Sequence, residues 1–111
     1  MASIFTDALV PQVTAKTIST TAVQISTVTQ LVVNFTIEAN SANTGVIYVG
    51  ASNVDSTAAL RLSGGDSYSP PTIYAGYGSN AREYDLSEWY VRASAASQKV
   101  SFLKIRKANQ V

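Results

Sequence analysis

The sequence predicts an all-β fold, an antiparallel β-sandwich (jelly-roll-like) of about six to eight short strands with an N-terminal arm. Apolar and polar residues alternate with a period of two in several runs, and Gly, Asn, Ser and Pro separate these runs. The composition agrees, because the 111 residues include 14 Ser and 11 Thr, 46% are hydrophobic and only 14% are charged. Such a chain is too apolar for disorder and has the length of one domain.

The first sixteen residues show little alternation and contain Pro11. We therefore interpret residues 1–16 as an arm or lead-in segment and residues 17–111 as a single sandwich domain. The early Asp7 and the lack of a basic start predict that the segment is not a signal peptide. Apolar residues of such an arm need a partner surface, on their own domain or on another subunit. They are Ile4, Phe5, Leu9 and Val10.

The clearest strand covers residues 31–38, where every second residue is apolar and therefore points to the same face. A turn-rich stretch follows at residues 40–45, and strand character resumes at residues 46–49. Together these runs predict a hairpin, with Gly45 at a positive φ at the end of its loop.

Further short strands are predicted along the rest of the chain. They lie within residues 17–26, 58–62, 67–74, 88–93 and 100–107. Pro70 and Pro71 cannot donate to a ladder, so the strand that they interrupt must lie at an edge or at a bulge. In the run that follows residue 88, Trp89, Val91 and Ala93 are expected on one face.

The residue inventory excludes several classes of chemistry. The chain contains no Cys and no His, which excludes disulfides, Cys or His metal sites, Cys nucleophiles and Ser–His–Asp triads. Its net charge is +1, so no overall field attracts nucleic acid, and its apolar runs are too short for a membrane helix. We therefore expect a protein that is not an enzyme and that binds no cofactor, nucleic acid or membrane.

Two kinds of segment deserve a chemical interpretation. Glu83, Asp85 and Glu88 lie within six residues and could supply a calcium site or an acid/base pair. No spacing matches a calcium-binding loop, so we interpret them as a solvated connector. The glycine-rich segments 64–67 and 76–78 fit turns, because neither has the Lys-Ser or Lys-Thr pair of a phosphate loop.

Aromatic residues concentrate between positions 68 and 90. Rings flanked by small polar residues occur on sugar-binding surfaces and in protein interfaces. Trp89 and one or two of the tyrosines can equally well pack in the core. The candidate ligand surface consists of Tyr68, Tyr74, Tyr77, Tyr84 and Tyr90.

Basic residues concentrate near the C-terminus. We expect Leu103 and Ile105 of the last strand to face the core, and Lys104 and Arg106 to face solvent. With Lys107 these cations form a small positive stripe. Such a stripe either protects an edge strand from association or docks on an acidic partner surface.

Several of these motifs together resemble small virion proteins of tailed bacteriophages. In residues 40–54 an Asn-Thr-Gly turn leads into a Tyr-Val-Gly strand, and Leu-Ser-Gly-Gly-Asp-Ser follows at 62–67. A Trp-Tyr-Val-Arg strand and a final Val-Ser-Phe-Leu-Lys-Ile run are similar to theirs as well. The resemblance covers residues 23–106 and is greatest to the head decoration proteins of short-tailed phages, also called cement or staple proteins. Its motifs carry over no catalytic residues.

The resemblance implies a decoration protein on the outer capsid surface of the virion, made in the bacterial host cytoplasm. Its implied partners are the major capsid protein, whose subunits it bridges, and itself, with a homodimer favoured and a trimer as the alternative. The other candidate function is a receptor- or carbohydrate-binding module, such as a head or tail fibre tip, that uses the tyrosines. We expect the capsid or subunit contacts at Ile4, Phe5, Leu9, Val10, Lys104, Arg106 and Lys107.

Overall fold

The computed structural model describes residues 9–72 and 83–107, which form ten strands and one turn of 3-10 helix at Leu86–Glu88. All strand pairings among these residues are antiparallel, so the predicted all-β antiparallel fold is confirmed. The strands are β1 (Leu9–Ile18), β2 (Val23–Gln24), β3 (Leu31–Val32), β4 (Asn34–Ala39), β5 (Ile47–Gly50), β6 (Leu60–Leu62), β7 (Ser67–Tyr68), β8 (Tyr84–Asp85), β9 (Tyr90–Ala93) and β10 (Gln98–Lys107).

Eight of these strands form two four-stranded sheets. The first sheet has the order β1-β10-β4-β7, the second has the order β2-β9-β5-β6, and β3 pairs with β8. Both sheets contribute to one buried cluster, which gives a sandwich-like arrangement. The cluster contains Ile18, Ile25, Val32, Phe35, Ile37, Ala39, Ile47, Val49, Leu62, Leu86, Val91, Ala93, Val100 and Phe102.

The alternation predicted in residues 31–38 is confirmed for β4, where Phe35, Ile37 and Ala39 are buried. The predicted hairpin with residues 46–49 is wrong. Strand β4 pairs with β10 and β7, whereas β5 pairs with β6 and β9 in the second sheet. The turn-rich segment between them therefore crosses from one sheet to the other.

The expected positive φ at Gly45 is wrong as well, since among the described glycines only Gly65 has one, at 89°. Position 45 needs glycine for a different reason. A Cβ there would lie 2.6 Å from the Ser94 Oγ. This oxygen accepts a hydrogen bond from the Val46 amide at 2.9 Å. Glycine thus permits a close approach between the crossing segment and the end of β9.

The last strand is present, but its two faces are the reverse of the prediction. Val100, Phe102 and Lys104 are buried, whereas Leu103 is 37% exposed. Val100 and Phe102 lie in the part of β10 that the second sheet covers, so their side chains pack in the core. Because side chains alternate along a strand, that choice turns Lys104 inward and Leu103 outward.

Residues 9–16, the described part of the predicted arm, form the first eight residues of β1. Each of them has a partner on β10, from Leu9 opposite Lys107 to Lys16 opposite Val100. This part of the segment is therefore an edge strand of the first sheet. Its weak alternation has a physical reason, because the outer end of β1 is exposed on both faces at Gln12 and Val13.

Two other sequence expectations are confirmed. Pro70 and Pro71 lie just beyond β7, separated from it by Ser69, and β7 is at an edge of the first sheet. Val91 and Ala93 are buried, and Trp89 packs against the core cluster beside them. Within residues 9–72 and 83–107, no helix has the length and apolar character needed to cross a membrane.

Candidate interaction surface

The outer face of the first sheet carries a row of apolar side chains where β1 and β10 run side by side. Strand pairing places Val13 opposite Leu103 and Pro11 opposite Ile105, and Leu9 extends the row along β1. We call these five residues the outer-face patch. Val13 is 69% exposed, Leu9 57% and Leu103 37%. Contiguous exposed apolar surface of this kind is typical of a site that a partner covers.

The position of the patch follows from the strand periodicity. Ile18 on β1 and Phe102 on β10 face the core, so the odd-numbered residues of β1 and β10 face outward. No strand of the second sheet covers this side. The exposed valine and leucine side chains are therefore held at fixed positions on paired backbone.

Polar side chains border the patch along β4. Asn34 and Thr36 pair with the two β10 members of the patch. The Asn34 Nδ2 donates to the Pro70 carbonyl and to the Thr72 Oγ1, both at 2.9 Å, and Thr36 shares a short hydroxyl hydrogen bond with Ser69. An apolar centre with a satisfied polar rim is the usual anatomy of a protein interface.

The predicted contact residues are divided by the structure. Leu9 lies in the outer-face patch, whereas Val10 is half-buried on the opposite face of β1. Ile4 and Phe5 lie outside the described residues. Val13 and Leu103 were missed by the sequence reasoning, which placed Val13 in the arm and expected Leu103 to face the core.

The predicted solvent-facing basic stripe is wrong. Lys104 is only 6% exposed, and its Nζ donates to the Gln30 Oε1 at 3.2 Å. Arg106 lies two residues further along the same face and is half-buried. Lys107 ends β10 opposite Leu9. Since β10 lies between β1 and β4, these cations do not protect a sheet edge either.

Burial lowers the pKa of Lys104 from its ordinary value of 10.5, and the positive charge of Lys16 lowers this pKa further. Both lysines occupy even-numbered positions of the first sheet and face inward. Gln30, which accepts from Lys104, also donates from its Nε2 to the Gln12 Oε1 at 3.5 Å. The inner face beyond the apolar core is therefore polar and cationic.

The structure assigns two of the candidate tyrosines to packing. The Trp89 ring lies 4.8 Å from Phe35, 5.9 Å from Tyr84 and 6.5 Å from Tyr68, centroid to centroid. The Tyr84 hydroxyl donates to the Pro71 carbonyl at 2.6 Å. These rings stabilise the core margin and are not arranged as a ligand platform.

Of the other three candidate tyrosines, Tyr90 is the one that the structure describes. Tyr90 on β9 lines an open cleft beside β1 and β2. Tyr74 and Tyr77 lie outside the described residues. The structure therefore does not bring the five tyrosines together into one described surface.

Asp85, one of the three neighbouring carboxylates, caps the 3-10 turn. Its Oδ1 accepts from the Ser87 amide at 3.0 Å, the Ser87 hydroxyl at 2.8 Å and the Gln30 amide at 3.3 Å. These hydrogen bonds, chiefly those from Ser87, lower the pKa of Asp85. Among residues 9–72 and 83–107, no group of three or more acidic side chains is placed to hold a metal ion.

Comparison with known proteins finds no family model that matches the chain and no significant match to a curated protein. The functional argument therefore depends on the residues and on the geometry of the outer-face patch.

Proposed function

We propose that the protein is a capsid decoration protein of the cement or staple kind, which binds the outer surface of a phage head. In this proposal it stabilises the head by bridging major capsid subunits. The observation that carries the proposal is the outer-face patch, an apolar row with a polar rim on a paired β-surface. The partner that we assign to this surface, the major capsid protein, comes from the motifs of residues 23–106 that resemble phage head proteins.

The geometry of the patch suits docking on a preformed lattice. Strands β1 and β10 pair over ten residues each, which fixes the backbone under every patch side chain. A preordered surface loses little conformational entropy when it binds. Val13, the most exposed member, lies opposite Leu103 at one end of the row and can act as an anchor in a capsid groove.

The energetics of decoration require only modest contacts. A standard interface buries about 800 Å² on each partner. A ligand that binds only the assembled shell stabilises it by about 2.7 kcal/mol per site at a hundredfold excess over Kd. A homodimer, which we favour over a trimer, engages two capsid subunits and so gains from effective concentration. Repeated over a head, this stabilisation opposes the outward pressure of packaged DNA.

The test is co-sedimentation of the full chain with undecorated phage heads. The unsubstituted protein is expected to bind and to raise the temperature at which the heads disrupt. Val13→Asp places a charge at the most exposed position of the patch and is expected to weaken head binding by at least about tenfold, since burial of an unpaired carboxylate is costly.

The chain offers a matched control for this substitution. Val28 is 68% exposed, close to the 69% of Val13, and it lies outside the patch. Val28→Asp is therefore expected to bind heads as the unsubstituted protein does. Equal head binding by both variants would contradict the assignment of the patch. Affinity for bacterial surface polysaccharide without head binding would instead favour the receptor- or carbohydrate-binding module.

A further inference from the structure

A second surface lies at the seam between the two sheets, away from the outer-face patch. It is an open cleft of about 510 Å³ beside the edge strands β1 and β2. This volume lies within the range of about 300–1,000 Å³ that small-ligand sites occupy. Lys16, Thr17, Gln24, Thr27 and Tyr90 contribute its polar groups and its aromatic wall.

Among the described residues of the lining, Lys16 is the only one with a charged side chain. Its Nζ donates to the Gln24 carbonyl at 3.1 Å, which uses one of the three N–H donors of the ammonium group. The Gln24 side chain is held in turn, because its Nε2 donates to the Ser87 carbonyl at 3.0 Å. The cation is thus positioned by the backbone of β2 and has donors left for a ligand.

The surrounding charges favour an anion. Lys16 and Lys104 both face inward from the first sheet, and they repel each other strongly enough to influence the titration of Lys104. Within residues 9–72 and 83–107, no carboxylate forms an ion pair with Lys16. An acidic group in the cleft would therefore pair with Lys16 and relieve the repulsion between the two lysines.

The cleft also provides neutral groups that suit one kind of anion. The Thr27 hydroxyl can donate to a carboxylate oxygen, and the Tyr90 ring offers an apolar wall to the atoms that carry the acid. The volume is large enough for a carboxylate together with an attached side chain or sugar ring.

We propose that this cleft binds a carboxylate group, with Lys16 as its ion-pair partner. The carboxylate can belong to an acidic side chain of a protein or to an acidic sugar. The site is separate from the outer-face patch, so Val13→Asp is expected to leave carboxylate binding unchanged. The proposal therefore stands or fails independently of head binding.

The experiment is an NMR titration of the isotopically labelled full chain at constant ionic strength. The probes are N-acetylglutamate amide, with a side-chain carboxylate, and galacturonate, an acidic sugar; N-acetylglutamine amide and galactose are their uncharged counterparts. Saturable shifts of the Thr17, Gln24 and Thr27 amides are expected with the acidic probes. Tighter binding of the amino acid indicates a protein ligand, and tighter binding of galacturonate indicates a polysaccharide.

A charge-matched pair of variants makes the test specific. Lys16→Gln is expected to weaken carboxylate binding about tenfold, the equivalent of one charge-assisted hydrogen bond. Arg61→Gln removes the same charge from β6, at the far edge of the second sheet, and is expected to have no effect. Undiminished binding by folded Lys16→Gln would overturn the proposal, as would equal shifts from acidic and neutral probes.

Discussion

The two faces of the first sheet, where β1 and β10 pair, differ in solvent exposure: the inner face is buried and the outer face is exposed. On the inner face Phe102 is fully buried beneath the second sheet, whereas its neighbour Leu103 on the outer face is 37% exposed. Across from Leu103, Val13 is 69% exposed although it is as apolar as the buried Val100. Residue type alone therefore does not decide burial. The decisive factor is whether another layer covers that side of the strand.

The largest expected effect comes from truncating neighbouring residues on the two faces. Phe102→Ala opens a cavity in the core and is expected to lower the free energy of unfolding by about 3–5 kcal/mol. Leu103→Ala removes a half-covered side chain and is expected to cost about 1 kcal/mol or less. Chemical denaturation of both variants measures the difference. Equal losses would mean that the outer face is covered in the isolated chain.

An intermediate effect is expected at Lys104, the cation that faces inward. Its pKa is lowered in the folded state, so the unfolded chain binds more protons between this lowered pKa and the ordinary value of 10.5. Stability is therefore expected to increase as the pH rises through that interval. Lys104→Met should remove this increase and be at least as stable at neutral pH, because it buries no charge.

Denaturation midpoints across that pH interval check this prediction. The variant and the unsubstituted chain share every tyrosine and every other lysine, so their difference isolates position 104. An identical pH dependence in the two proteins would show that Lys104 titrates normally.

The smallest effect on stability is expected on the outer face itself. Replacing Val13 and Leu103 together by serine should change the free energy of unfolding by no more than about 1 kcal/mol, since both are exposed. The same double variant should lose the head binding that is proposed for the patch. Co-sedimentation with undecorated heads measures that loss, and a loss of stability well above about 1 kcal/mol would contradict the difference between the faces.

The fold class could be predicted from the sequence because β4 has apolar residues on one parity and mainly polar residues on the other. Strand β10 could not be assigned to faces in this way. Its sequence places Val100 and Phe102 on one parity and Leu103 and Ile105 on the other, so both faces are apolar. The choice depends on which part of the strand the second sheet covers, which is a tertiary property.

The site was partly predictable for the same reason. Leu9 was identified as a contact residue from its apolar character near the N-terminus, and it lies in the outer-face patch. Val13 was missed because Pro11 and the weak alternation of residues 1–16 led us to interpret an edge strand as an arm. Lys104 was placed on the surface because the alternation was assigned with Leu103 and Ile105 toward the core. Its contact with Gln30 bridges 74 positions of sequence that no local pattern connects.

The position of β10 also determines when the chain can fold. This strand is the last of the described strands to be synthesised, yet it lies between β1 and β4 in the first sheet. A nascent chain therefore holds β1 and β4 without the strand that joins them until β10 has been synthesised. Pairing partners as distant as Leu9 and Lys107 give the high contact order of slow-folding β-proteins, which fold over milliseconds to seconds. The first sheet therefore cannot assemble before β10 has emerged from the ribosome.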